Sequence, residues 1–260
     1  MTKYILFLLL PLFPFLALAE NKELPGELYY QDAPIEPYCF YSIYTSSMGE
    51  ESSTPKEIDI ASCTESIRKL EITDDERGGN ERGFRGMTFN DEYDKGAFVL
   101  YKYIGKIKDN MVVELMVNGG GSGIFSMIIY LKREGDFLKI IDVENYGDRC
   151  LGGIKNSKIE DDQLVTALYI SPIDFFGIVS PNSNFDVAYC MGCCIGIAEY
   201  KSHILQSIEF NNKNIDEMQQ GKYQQCFNQL YKDYLAKGKT KITPDEAKEF
   251  VNIFTKQCVK

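Results

Sequence analysis

Apolar and polar residues along the chain follow two periods, and the change between them divides it. From Phe98 to Ile170 the apolar residues fall in short runs rich in β-branched and aromatic side chains: Phe98 to Ile107, Met111 to Val117, Ile124 to Leu131, Phe137 to Val143 and Leu164 to Ile170. Between them lie Lys108-Asp109-Asn110, Asn118 to Gly123, Glu134-Gly135-Asp136 and a longer loop through Gly147, Gly152 and Gly153. Runs of this length predict strands. The short spacers predict antiparallel pairing, because a parallel crossover needs a dozen or more residues. Further strands are expected at Phe185 to Tyr189, Ile195 to Tyr200 and Ile204 to Phe210, and a first one at Tyr38 to Tyr44.

On either side of this region the period lengthens to that of a helix. Thr54-Pro55-Lys56-Glu57 carries the signature of a helix start, with a capping hydroxyl, a proline in the first turn and a glutamate three residues on. Ile60, Cys63, Ile67 and Leu70 then share one face, so this helix is expected to run to about Leu70 with Cys63 turned to the core. Tyr223, Phe227, Leu230, Tyr231 and Tyr234 mark a second helix, with Gly238 near its stop. Thr243-Pro244-Asp245-Glu246 repeats the cap signature, and Ala247, Phe250, Val251, Phe254 and Cys258 line the last helix. The resulting fold class is α+β: an antiparallel sheet of five to eight strands, an N-terminal helix and a C-terminal helical hairpin, all stapled by disulfides. Residues 20–52 read as an extended leader with the first strand, 53–210 as the sheet domain, and 211–260 as the hairpin packed on it. The segment from Asp74 to Asn90, with four glycines among charges, reads as a mobile loop.

The first residues follow another logic. After Thr2 and Lys3 comes an apolar stretch from Tyr4 to Ala19 that contains Pro11 and Pro14 and ends in Ala17-Leu18-Ala19. A spanning helix needs about 20 apolar residues, whereas a secretory signal needs a shorter core and small residues before its scissile bond. Residues 1–19 are therefore expected to be a signal peptide cleaved after Ala19, which sends the chain to the periplasm or the extracellular space. No later segment approaches spanning length.

Export changes the meaning of the eight cysteines, Cys39, Cys63, Cys150, Cys190, Cys193, Cys194, Cys226 and Cys258. An even number in an oxidising compartment reads as disulfides, although eight cysteines allow 105 full pairings. Cys226 and Cys258 could bridge the two closing helices, but their distances from the intervening turn differ. Cys190-Met191-Gly192-Cys193-Cys194 admits three readings. A thiol oxidoreductase wants its first cysteine at a helix N-terminus, and the residues after Cys194 look like a strand. A zinc site would compete with oxidation for its thiolates. A structural knot, with these cysteines bonded to Cys150 and to others farther away, asks for nothing special and is preferred.

Other chemistry is sparsely marked. The net charge of −10 speaks against nucleic acid and anionic membranes as partners and leaves a cationic protein or a cell-envelope component open. Gly119-Gly120-Gly121-Ser122-Gly123 lacks the following helix of a phosphate loop and reads as a hairpin turn. The single histidine, His203, has no nucleophile motif beside it and is expected to be an ordinary residue. Acid clusters at Asp74-Asp75-Glu76, Asp91-Glu92-Asp94 and Glu160-Asp161-Asp162 read as solvated loop charge, with no metal or cofactor implied. No catalytic residue is assigned.

Gly147-Asp148-Arg149-Cys150-Leu151-Gly152-Gly153-Ile154, followed by Cys190 to Cys194, resembles uncharacterised exported bacterial proteins that carry a similar G-D-R-C-x-G-G-I stretch. The likeness covers the middle third of the chain and implies bacterial origin and export, with no activity attached. Asp148 and Arg149 there could form an ion pair in a glycine-rich turn held by a disulfide, either a structural corner or a recognition surface. The functional expectation is an exported, non-catalytic binding protein. The alternatives are a hydrolase of envelope polymers using carboxylates such as Asp148, Asp174 or Asp186, and a thiol oxidoreductase at Cys190 and Cys193.

Overall fold

A computed structural model describes residues 24–48, 55–67, 72–73, 83–89, 96–211 and 215–259. The expected signal peptide, the cap at Thr54, Leu70, and the acids at 74–76 and 91–94 lie outside the described residues. The chain is α+β and antiparallel throughout its sheets.

The elements in order are β1 (Tyr29–Tyr30), β2 (Ala33–Pro34), α1 (Tyr41–Met48), β3 (Glu57–Asp59), α2 (Ile60–Ile67), β4 (Ile72–Thr73), β5 (Arg85–Phe89), β6 (Phe98–Ile107), β7 (Asn110–Asn118), β8 (Phe125–Glu134) and β9 (Phe137–Asp148). They continue with β10 (Ile154–Glu160), β11 (Gln163–Ile170), α3 (Pro172–Val179), β12 (Gly196–Lys201), β13 (Ile204–Phe210), α4 (Gln224–Ala236), β14 (Lys241–Ile242) and α5 (Pro244–Cys258). The strands divide between a first sheet in the order β3-β9-β8-β7-β6-β5-β4 and a second in the order β10-β11-β12-β13-β14, beside the small β1-β2 pair.

The division has a readable cause in β7, the middle strand of the first sheet. Its apolar run is buried on both faces, as a strand between two cores must be. Met111, Val113, Leu115 and Val117 point into a core with Leu28, Phe40 and Ile43 of the N-terminal segments, whereas Val112 joins Ile104, Ile128, Ile154 and Leu164 between the two sheets. Glu114, on that second face, is buried as well. It accepts a hydrogen bond from Ser157 of β10 and pairs with Lys102 at 3.2 Å, so its charge is compensated. Gly105 in β6, at φ +144°, marks a bulge where a β-carbon would meet Ile159 at 2.8 Å, and its absence lets β10 approach. A third core lies on the far side of the second sheet, where α3, α4 and α5 bring Phe175, Phe176, Phe227, Phe250 and Phe254 together. Ring centroids there stand 4.6 Å apart for Phe176 and Phe254 and 5.1 Å for Phe175 and Phe250.

Several local expectations need correction. Tyr38 to Tyr44 is helical: a short 3-10 turn at Pro37–Phe40 runs into α1, burying Phe40, Ile43 and Tyr44 at spacings of three and four. Glu57 does not lie in a first helical turn. It sits in β3, opposite Lys139 of β9, and the helix starts only at Ile60. Phe185 to Tyr189 forms no strand, since its backbone is held by the Gln224 side chain and by the Tyr223 amide instead. Within the expected loop from Asp74 to Asn90, Arg85–Phe89 is a strand paired with β6, and residues 74–82 are not described. Among the described residues no helix is long and apolar enough to cross a membrane.

Candidate functional site

The two sheets are joined by the five residues from Arg149 to Gly153, and the turn they make is built by glycine. Gly147 donates to the Gly152 carbonyl at 3.1 Å, and Gly153 to that of Arg149 at 2.8 Å. A β-carbon on Gly147 would fall 1.5 Å from the Leu151 oxygen, and one on Gly153 would lie 2.5 Å from the Arg149 nitrogen. Gly152 takes φ +81°, and Arg149 is itself left-handed at φ +47°. Asp148, nearly closed to solvent, accepts the Ile124 N–H at 2.9 Å and the Arg149 guanidinium at 2.8 Å from Nε and 3.1 Å from Nη2. That side-on pair of bonds is the strong form of an arginine–carboxylate contact, and it raises the guanidinium pKa further above its ordinary value. The Arg149 side chain remains 39% exposed, so its outer surface is presented while its position is fixed.

Disulfides meet at this turn. Cys150 is bonded to Cys194, which ties it to the segment before β12, and Cys190 is bonded to Cys193 within that segment. Cys39–Cys63 and Cys226–Cys258 complete the four, and no described cysteine is free. The expected knot is thus corrected in one respect: Cys190 and Cys193 close on each other and not on distant partners. Cys226 and Cys258 approach to a Cα separation of 5.8 Å because the link between α4 and α5 is no tight turn but carries β14, which pairs with β13. Four disulfides fit a protein exported to an oxidising compartment.

Between Cys190 and Gly192, the Met191 sulfur lies 2.7 Å from Nη2 of Arg149. Met191 is 39% exposed and Tyr189, two residues back, 64%. The same segment borders a cavity of about 270 Å³ lined by Ala188, Cys190, Gly192, Cys193 and the residues from Glu217 to Gln220. Its walls are fixed by a buried amide pair on α4. Gln224 accepts the Ala188 N–H at 2.6 Å and donates to Asn228 at 2.7 Å, and Asn228 donates to the carbonyls of Ile215 and Met218. Sequence reasoning overlooked both amides. The available signal was their spacing of four on the same helical face as Phe227 and Tyr231, where a polar residue needs a reason.

The remaining candidates are dispersed. Asp174 is the N3 residue of a capping box on α3, bonded to the Ser171 amide at 2.9 Å and hydroxyl at 2.6 Å, and burial pushes its pKa up. Asp186 accepts the Lys222 N–H at 2.9 Å. With Asp148 engaged as described, all three carboxylates named for a hydrolase are bonded into the fold, and none lines this cavity. His203 sits at φ +65° in a two-residue turn with Ser202, mostly exposed, 3.5 Å from Glu144. Glu144 also accepts the hydroxyls of Tyr130 and Tyr146, each at 2.7 Å. A second cavity of about 430 Å³ lies against the Cys39–Cys63 bridge, with Tyr38, Tyr41, Glu57 and Asp59 in its wall. Glu57 is paired there with Lys139, and Asp59 with Ser62. Among the described residues no group of three His, Cys, Asp or Glu is placed to hold a metal ion.

The chain matches no known protein family, and no curated protein or solved structure is significantly similar to it. The corner must be interpreted from its own chemistry.

Proposed function

We propose that this is an exported binding protein, freed of residues 1–19 by cleavage after Ala19, that recognises a partner protein through the corner formed by Arg149, Tyr189 and Met191. The observation that carries this reading is the convergence of the Cys150–Cys194 and Cys190–Cys193 disulfides on that corner. They hold a half-exposed arginine against a half-exposed methionine beside an exposed tyrosine. Tyr, Arg and Met are the side chains enriched at the centres of protein interfaces, and fixing them in advance removes much of the ordering cost of association. The surplus of acidic residues adds a general attraction for a cationic partner, which speeds encounter more than it tightens the complex.

The mature protein, used as bait in envelope extract, tests this when wild type is run beside Tyr189→Ala and Arg149→Ala. A partner recovered by wild type should bind each variant about tenfold or more weakly once purified, since central anchors commonly cost more than 1 kcal/mol on truncation. Its association rate should also fall with added salt. Equal affinity for wild type and both variants would refute the assignment of the corner.

A further inference from the structure

Three of the four disulfides tie separate elements together, and the fourth ties almost nothing. Cys39–Cys63, Cys150–Cys194 and Cys226–Cys258 span sequence separations of 24, 44 and 32, whereas Cys190–Cys193 spans 3. So short a loop restricts the unfolded chain least, and the turn it closes already has a backbone bond from the Cys193 N–H to the Cys190 carbonyl at 3.1 Å. Its neighbour Cys194 anchors the segment independently. We propose that Cys190–Cys193 is an exchange disulfide that oxidises a pair of thiols on a partner protein. Its two sulfur-bearing residues are unequally exposed: Cys190 is half-buried at the rim of the 270 Å³ cavity, and Cys193 is 5% exposed. An incoming thiolate can therefore reach Cys190, with Cys193 as the leaving group. Around Gly192 there is open space, and Tyr189 and Met191 flank Cys190 with exposed apolar surface on which a peptide can lie. The Arg149 guanidinium at Met191 adds a cation to the same turn, partly offset by Asp148, and a nearby cation favours thiolate.

The exchange balances without a further reagent. A partner thiolate attacks the Cys190 sulfur, the Cys190–Cys193 bond breaks, and Cys193 leaves with the electron pair and takes up a proton. The second partner thiol, having lost its proton, attacks the partner sulfur of the mixed disulfide and releases Cys190, which is protonated in turn. The partner loses two electrons and gains a disulfide, and Cys190 and Cys193 end as thiols.

The test uses small dithiols, which need no docking surface, so its outcome is separate from that of the binding reading. The oxidised, folded protein is given one equivalent of dithiothreitol, alkylated at intervals and mapped by mass spectrometry. Label should enter Cys190 and Cys193 about tenfold or more faster than Cys226 and Cys258, which are also half-buried, with the far-ultraviolet spectrum unchanged. A reduced synthetic peptide with two cysteines should be oxidised mole for mole by wild type and left reduced by the C190S/C193S double variant. Opening no faster than Cys226–Cys258 would overturn the proposal, as would a peptide that stays reduced with wild type.

Discussion

At the scale of single residues, the G-D-R-C-x-G-G-I stretch is explained almost position by position. Gly147 and Gly153 leave room for the carbonyl of Leu151 and the backbone of Arg149, Gly152 supplies a positive φ, Asp148 closes onto Ile124 and Arg149, and Cys150 locks the turn to Cys194. Gly147→Ala is expected to destabilise the protein by about 2–4 kcal/mol in denaturant unfolding, because the clash is with backbone that cannot step aside. Gly177→Ala is its control. That glycine lies inside α3 with nothing within 4 Å of a new β-carbon, so the change should be neutral or stabilising by about 0.5–1 kcal/mol. An ion pair in a glycine-rich turn was legible in these residues, since neighbouring opposite charges among glycines have few other ways to be satisfied. Met191 was not legible, because its role depends on a contact with Arg149 across 42 positions of sequence.

Elements were legible where the period was long and clean. Strands β6, β7 and β11 match the expected runs to within a residue, whereas β8 and β9 run on to Glu134 and Asp148, and β10 stands where a loop was expected. The cap before the last helix is present in full: Thr243 accepts the Glu246 N–H at 3.3 Å, and Glu246 accepts the Thr243 N–H at 2.9 Å. Bonding from the Thr243 backbone, then from Lys239, holds the Glu246 pKa below its ordinary range. A carboxyl with a lowered pKa in the folded state adds stability that is complete above its unfolded value and is lost as pH falls through the folded one. Thr243→Ala should cost about 1 kcal/mol at neutral pH, and Glu246→Gln a smaller amount that disappears in thermal melts taken at acid pH. One error came from a short aromatic run. Tyr38 to Tyr44 alternates well enough for a strand, yet its helical spacing buries Phe40, Ile43 and Tyr44 together, and packing against the first sheet decides between them. The turn at Ser202-His203 falls between the two strands expected there, although both residues adopt positive φ without the glycine or asparagine that usually supplies it.

Over the whole molecule, the class of fold was legible but the partition of its strands into two sheets was not. The clue lay in Met111 to Val117, too continuously apolar for a strand with one wet face, and in Gly105, whose reason is a neighbour in the other sheet. Disulfides bind this assembly at both ends and at the joint: Cys39–Cys63 at the N-terminal segments, Cys150–Cys194 where the sheets connect, and Cys226–Cys258 between α4 and α5. Chain-entropy arguments assign about 3.5–4 kcal/mol to each of these loops and about 2 kcal/mol to the short Cys190–Cys193 loop. The scaffold therefore rests on three bridges, which frees the fourth for chemistry. The most direct measurement is a disulfide map of the folded protein, digested without reduction and read by mass spectrometry. It should return the linked peptides 39–63, 150–194, 190–193 and 226–258, with no cysteine open to alkylation before a reductant is added. A free thiol at any of the eight cysteines in the folded protein, or a different set of partners, would contradict it.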